Sequence, residues 1–123
     1  MSYAERHVVA VTTAADGSAT AYSPVITGKL SQIRYVKTDF TDGVDFTITA
    51  EATGETLWTE LDVNASVTVA PRQATHSTAG VAALYAAAGA AVNEKIALAK
   101  DRVKIVIAAG GAVKTGTFHI IME

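Results

Sequence analysis

The chain has 123 residues, a formal net charge of −2 from 10 Lys and Arg against 12 Asp and Glu, and no cysteine. The missing thiols exclude disulfide frameworks and thiolate metal sites, and the balanced charge leaves no cationic excess for a nucleic-acid backbone. No stretch reaches the ~18 apolar residues of a membrane-spanning helix, and the opening MSYAERHVVAV lacks the basic and long apolar regions of a secretory leader.

Period-2 alternation dominates the chain in order. HVVAVTT is a strand, and TAYSPVITG is a strand interrupted at Pro24, which restricts it to an edge or a bulge. IRYVK continues the pattern. In DFTITAEA, Phe46, Ile48, Ala50 and Ala52 share one face, and Thr47, Thr49 and Glu51 the other. In ETLWTELDV, Leu57, Leu61 and Val63 share a parity with Thr59, placing Trp58 on the opposite, polar side with Glu60 and Asp62. SVTVAPR turns Val67 and Val69 inward and stops at Pro71. RVKIVIAA sets Val103, Ile105 and Ile107 inward, and GTFHIIME does the same with Phe118, Ile120 and Met122. Asp16-Gly17, Asp42-Gly43, Thr53-Gly54 and Gly110-Gly111 each supply a turn residue that tolerates positive φ. Short strands at this spacing predict an all-β fold over residues 1–123, a single domain built as an antiparallel β-sandwich or a jelly-roll-like barrel.

One long connection breaks the pattern. From Gly80, the stretch GVAALYAAAGAAVNEKIALA is rich in alanine. Val81, Leu84, Tyr85, Ala88 and Val92 fall at helical spacing, with Ser77 or Thr78 to cap the start and Gly89 to end it. Gly80 in the first turn opposes a helix. A short helix and an irregular loop are therefore equally supported.

Candidate chemistry is sparse. Asp39, Asp42 and Asp45 stand three apart, whereas a calcium loop of the EF-hand kind places ligands at alternate residues; a solvated Asp-Gly turn accounts for them better. GGAVKTG has the glycines, Lys114 and Thr115 of a phosphate loop in the wrong order, and a hairpin between two strands is the better reading. His7, His76 and His119 are far apart. Ser77 follows His76 without a nucleophile elbow. Trp58 is either a stacking or subunit-contact surface or part of a second buried face. Singly scattered residues such as Glu51, Glu55, Glu60, Lys100 and Lys104 mark a solvated outer face that also blunts exposed edges.

Three stretches carry a family resemblance: GKLSQIRYVKTDFTDGVDFTITAEATGETLWT, VAPRQATHSTAGVAALYAAAGAAVNEKIALAKDRVKIVIAAGG and KTGTFHIIME. Together they resemble small structural proteins encoded among the head genes of tailed bacteriophages, over about residues 28 to 123. The shared motifs are structural, so no active residue transfers. The resemblance implies a virion component, first of all a capsid decoration (cement) protein. Such a protein folds in the host cytoplasm, sits on the capsid surface and binds the major capsid protein as a homo-oligomer, a trimer by preference. It is non-catalytic and needs no cofactor or metal.

In that setting the small side chains of residues 74 to 92 would let a neighbouring subunit or the shell approach closely. The candidate interface is Trp58, Leu84, Tyr85, Ala87 and Ala88. The competing reading of that segment is a cap on the domain's own barrel. The alternative function is a tail- or fibre-associated carbohydrate or receptor module. It would stack ligand on Trp58, Tyr22, Tyr35 or Tyr85 and accept hydrogen bonds on Asp39, Asp42 or Asp45. An enzymatic reading lacks an activated nucleophile or an acid–base pair.

Overall fold

Alternating apolar side chains need two layers to close over them, and the computed structural model supplies them. It describes residues 4–75, 79, 81 and 93–123. The strands are β1 (Glu5–Thr12), β2 (Ala19–Tyr22), β3 (Ile26–Lys37), β4 (Val44–Ala50), β5 (Thr56–Val63), β6 (Val67–Val69), β7 (Arg72–Ala74), β8 (Asn93–Asp101), β9 (Val103–Ala108) and β10 (Thr115–Met122). The first sheet runs β1-β10-β3-β8-β7, with β6 also paired to β3; the second runs β2-β9-β4-β5. Every pairing is antiparallel. The fold is an open β-sandwich rather than a closed barrel. The alanine-rich connection, for which helix and loop were equally supported, lies outside the described residues apart from its two ends and Ala79 and Val81.

One contiguous core fills the space between the sheets. Leu30, Ile33, Tyr35, Phe118 and Ile120 enter from the first sheet, and Val44, Phe46, Ile48, Ile105 and Ile107 from the second. Each such side chain contributes about 1.5–3 kcal/mol on burial. Aromatic rings join the layers. Tyr35 lies 5.1 Å from Phe46 and 5.2 Å from Phe118, and Phe46 meets Phe118 edge-on at 5.2 Å. Offset and edge contacts of this kind add to the area term.

Most consecutive strands lie in different sheets. The connections β1–β2, β3–β4 and β9–β10 arch across one end, whereas β2–β3 and β8–β9 cross at the other. The GGAVKTG stretch is thus an arch between sheets, not the hairpin expected from its sequence. Its glycines do turn the chain, but β9 pairs with β2 and β4, and β10 with β1 and β3. At the opposite end the chain changes sheet through Arg102 alone, with Lys100 in the left-handed region (φ 47). The buried Asp101 carboxylate stabilises this bend by accepting the Ala52 and Arg102 backbone N–H groups, both at 2.8 Å.

Trp58 corrects the parity reading. Opposite β4, β5 carries two extra residues: Val63 pairs with Val44 but Glu60 with Phe46, and Trp58 pairs with Ile48 but Thr56 with Thr49. Each bulge reverses which face the following residues occupy. Asp62 sits at one of them in the left-handed region (φ 56). Trp58 consequently turns inward, 8% exposed, with its indole edge-on to Phe46 at 4.9 Å. Leu61, expected inside, is 69% exposed.

Gly116, the second residue of β10, lies against the ring of Phe40. A Cβ there would lie within 2.9 Å of three ring carbons of Phe40. Gly116→Ala is expected to lower unfolding free energy by about 1–3 kcal/mol through overpacking. Urea denaturation will show this as a lower midpoint at unchanged slope.

Candidate interaction surface

Three of the arches at one end of the sandwich, β1–β2, β3–β4 and β9–β10, form a single hydrogen-bonded unit. Thr13, buried just past β1, donates its N–H to the Lys114 carbonyl (2.8 Å) and its hydroxyl to the Gly111 carbonyl (2.6 Å). The same hydroxyl accepts the Lys114 N–H (2.8 Å). The Gly110 N–H donates to Gly17 O (2.9 Å), and the Thr41 N–H to Gly110 O (3.1 Å). The Thr41 hydroxyl donates to Ala109 O (3.0 Å). Gly17 (φ 82) and Gly111 (φ 89) take the left-handed positions, and a Cβ at Gly111 would collide with the Thr41 methyl. The arches leave strand ends without ladder partners, and these side-chain and backbone bonds replace them.

Asp39 ties the β3–β4 arch to β10. Its Oδ1 accepts the Thr115 backbone N–H and, at 2.9 Å, the Thr115 hydroxyl. These bonds favour the ionised form and hold the carboxyl below its ordinary value of 3.8, the backbone N–H contributing most. Asp42 instead forms an ion pair with Lys37, and Asp45 accepts the Asp62 N–H at 2.9 Å. The three aspartates of the DFTDGVD stretch therefore serve three separate partners. Among the described residues no three His, Cys, Asp or Glu side chains gather at metal-binding distance.

This end also exposes apolar side chains. Val113 is 66% exposed and held at φ 51, a conformation that β-branched residues rarely adopt. Leu61 projects from β5 at the same end.

The other sequence candidates do not converge. Trp58 and Tyr35 are buried in the core. Tyr22, 41% exposed, carries the Arg102 guanidinium 4.1 Å from its ring centroid, and Arg102 is paired with Glu51. That pair is solvent-exposed and contributes little to stability. Leu84, Tyr85, Ala87, Ala88, His76 and Ser77 lie outside the described residues. His7 lies beside Glu5 at 3.5 Å, and His119 lines a shallow depression on the outer face of the first sheet. That depression, about 300 Å³, is bounded by Arg6, Gln32, Arg34, Val36, His119 and Ile121. A second one of about 450 Å³ is bounded by Gly28, Lys29, Lys95 and Glu123, with the Lys95–Glu123 ion pair (2.6 Å) within it. Neither brings a nucleophile next to a base.

Thr13, Thr41 and Val113 were not singled out by sequence reasoning. The Gly110-Gly111 pair marks a turn there, but no local pattern says which distant backbone will dock on it. Comparison with family models finds no match, and no curated protein or solved structure is significantly similar to the chain.

The lowered Asp39 pKa sets a sign for acid stability. A depressed carboxylate contributes stability that is complete above its unfolded value, near 3.8, and lost as pH falls through the lower folded value. Thermal midpoints measured from pH 6 to pH 2 are expected to fall less steeply below about pH 3.8 in Asp39→Asn than in the parent. The variant is also expected to start from a lower midpoint at pH 6.

Proposed function

We propose that this protein is a non-catalytic virion component, a capsid decoration protein that adheres to the assembled shell of the major capsid protein on the outside of the particle. The virion assignment rests on the resemblance to small head proteins of tailed phages. The adhesive role rests on one observation, the Val113 tip. A β-branched side chain is held at positive φ and mostly in water on an end that is otherwise tightly cross-linked. Glycine would relax that backbone, and a polar residue would be better solvated; strain kept at such a point is a signature of a functional contact. A preformed end loses little conformational entropy on docking.

Trimeric assembly is the preferred form in this reading. Three weak apolar tips presented together gain affinity by effective concentration without any further contact.

Electron microscopy of intact particles is expected to place the protein outside the shell, with Val113 at the contact. Val113→Gly is expected to leave the thermal midpoint equal or higher, because strain is relieved. Its binding to undecorated shells is expected to weaken about tenfold or more per copy, from the lost burial of one valine. Density elsewhere in the particle, or undiminished shell binding by a folded Val113→Gly, would overturn the proposal.

A further inference from the structure

We propose that β1 is a docking strand: its open edge takes up an extended, acidic–apolar segment of another polypeptide as an additional strand of the first sheet. The site is the flank of the sandwich, separate from the Val113 tip, and the inference does not depend on the virion assignment.

The edges of the sandwich differ in how they are protected. β5 carries two bulges, a left-handed Asp62, and Glu60 and Asp62 as charges. β2 has four residues and β7 three. Short, bulged or charged edges resist further pairing. β1 is neither short nor bulged, and its charged residues, Glu5 and Arg6, stand only at its start. It runs for eight residues without Pro or Gly and pairs with β10 in unbroken register from Glu5↔Met122 to Thr12↔Thr115. Among the described residues it pairs on that side alone.

The backbone defines which groups are available. Thr13, the next residue in register, donates its N–H to Lys114 of the β10 side. Antiparallel ladders alternate, so Glu5, His7, Val9 and Val11 bond to β10. Arg6, Val8, Ala10 and Thr12 therefore turn their N–H and C=O groups to the open edge. The same four residues point their side chains away from the core, and Val8 is 51% exposed.

Charge selects the occupant. The outer face next to this edge holds Arg6, Arg34 and His119 around the 300 Å³ depression, whose lining includes no carboxylate. An added strand with Glu or Asp beside Arg6 and apolar residues beside Val8 complements that face, as in strand addition generally. A second copy of this chain fits less well, since its own outward row is Arg6, Val8, Ala10 and Thr12 and brings no acid.

The full-length protein can be titrated with the blocked peptide Thr-Glu-Thr-Val-Thr-Glu-Thr-Val, one face of which alternates Glu and Val as the row Arg6, Val8 requires, and with its counterpart carrying Lys for Glu, with amide hydrogen exchange as the readout. The acidic peptide is expected to slow exchange at Arg6, Val8, Ala10 and Thr12 by about tenfold or more at saturation, and the lysine peptide is not. Val8→Pro, which removes an edge donor but no bond to β10, is expected to abolish binding while unfolding remains cooperative. Val8→Asp leaves the backbone unchanged and is expected to weaken binding of the acidic peptide, so the test stands even if the proline variant does not fold. Arg6→Glu is expected to reverse the peptide preference. Three results would overturn the proposal: no slowing with either peptide, binding that survives Val8→Pro or Val8→Asp, or protection of the same four amides by protein concentration alone. The last would make a second copy the occupant.

Discussion

The contact between the Phe40 ring and the bare backbone of Gly116 governs how the sandwich closes. Phe40 leaves β3, crosses the end of the core and stacks beside Tyr35, with ring centroids 6.1 Å apart. It reaches that position only because Gly116, the second residue of β10, has no side chain. With the ring in place, Asp39 can reach Thr115, and Thr41 the Ala109–Gly110 carbonyls. The β3–β4 arch is thus fixed to the β9–β10 arch, and Thr13 adds the β1–β2 arch to both. A packing contact in the interior in this way produces a rigid outer end. Close packing explains why: an interior near crystal density transmits the position of one ring to the backbone above it.

Much of this architecture is legible in the sequence, and the failures have a common physical origin. Strict alternation identified β4, β9 and β10 and assigned their buried faces, because each is paired in register along most of its length. The Asp-Gly, Thr-Gly and Gly-Gly pairs marked real turns, since Gly17, Gly43, Gly54 and Gly111 all adopt positive φ. Alternation does not reveal bulges, so Trp58 and Leu61 were placed on the wrong faces of β5. Turn chemistry also does not say whether the two strands it joins share a sheet. GGAVKTG has the composition of a hairpin, but the competition for partners between β2, β4, β1 and β3 decides otherwise.

The candidate surfaces were less legible still. Sequence reasoning sought function in rare residues: the single tryptophan, the aspartate triplet and the histidines. The structure assigns the tryptophan to the core and the aspartates to hydrogen bonds and an ion pair, and it places His119 on the outer face of the first sheet; His76 lies outside the described residues. The residues that stand out are ordinary ones in unusual settings. Val113 is notable for its backbone conformation and exposure, and Val8 for the open edge on which it lies. Neither property is encoded within a few residues of the side chain. Both arise from long-range pairing, which local pattern cannot express.

Protection and exposure of the edges also bear on how such a small sandwich avoids pairing with copies of itself. An eight-residue regular edge is a hazard wherever the protein is abundant, because its unpaired groups template any extended chain. β1 limits that hazard through composition: its outward row carries Arg6 and interrupts apolar side chains with Ala10 and Thr12 rather than more valine. Two β1 edges meeting would gain backbone bonds but no salt bridge on the outer face, and both would bring the Arg6, Arg34 and His119 face with them. A partner strand bearing carboxylates gains both the ladder and the charge contact. The two arginines of this face, Arg6 and Arg34, therefore disfavour self-pairing and favour an acidic partner, since specificity needs a cost against the wrong strand as well as a gain with the right one.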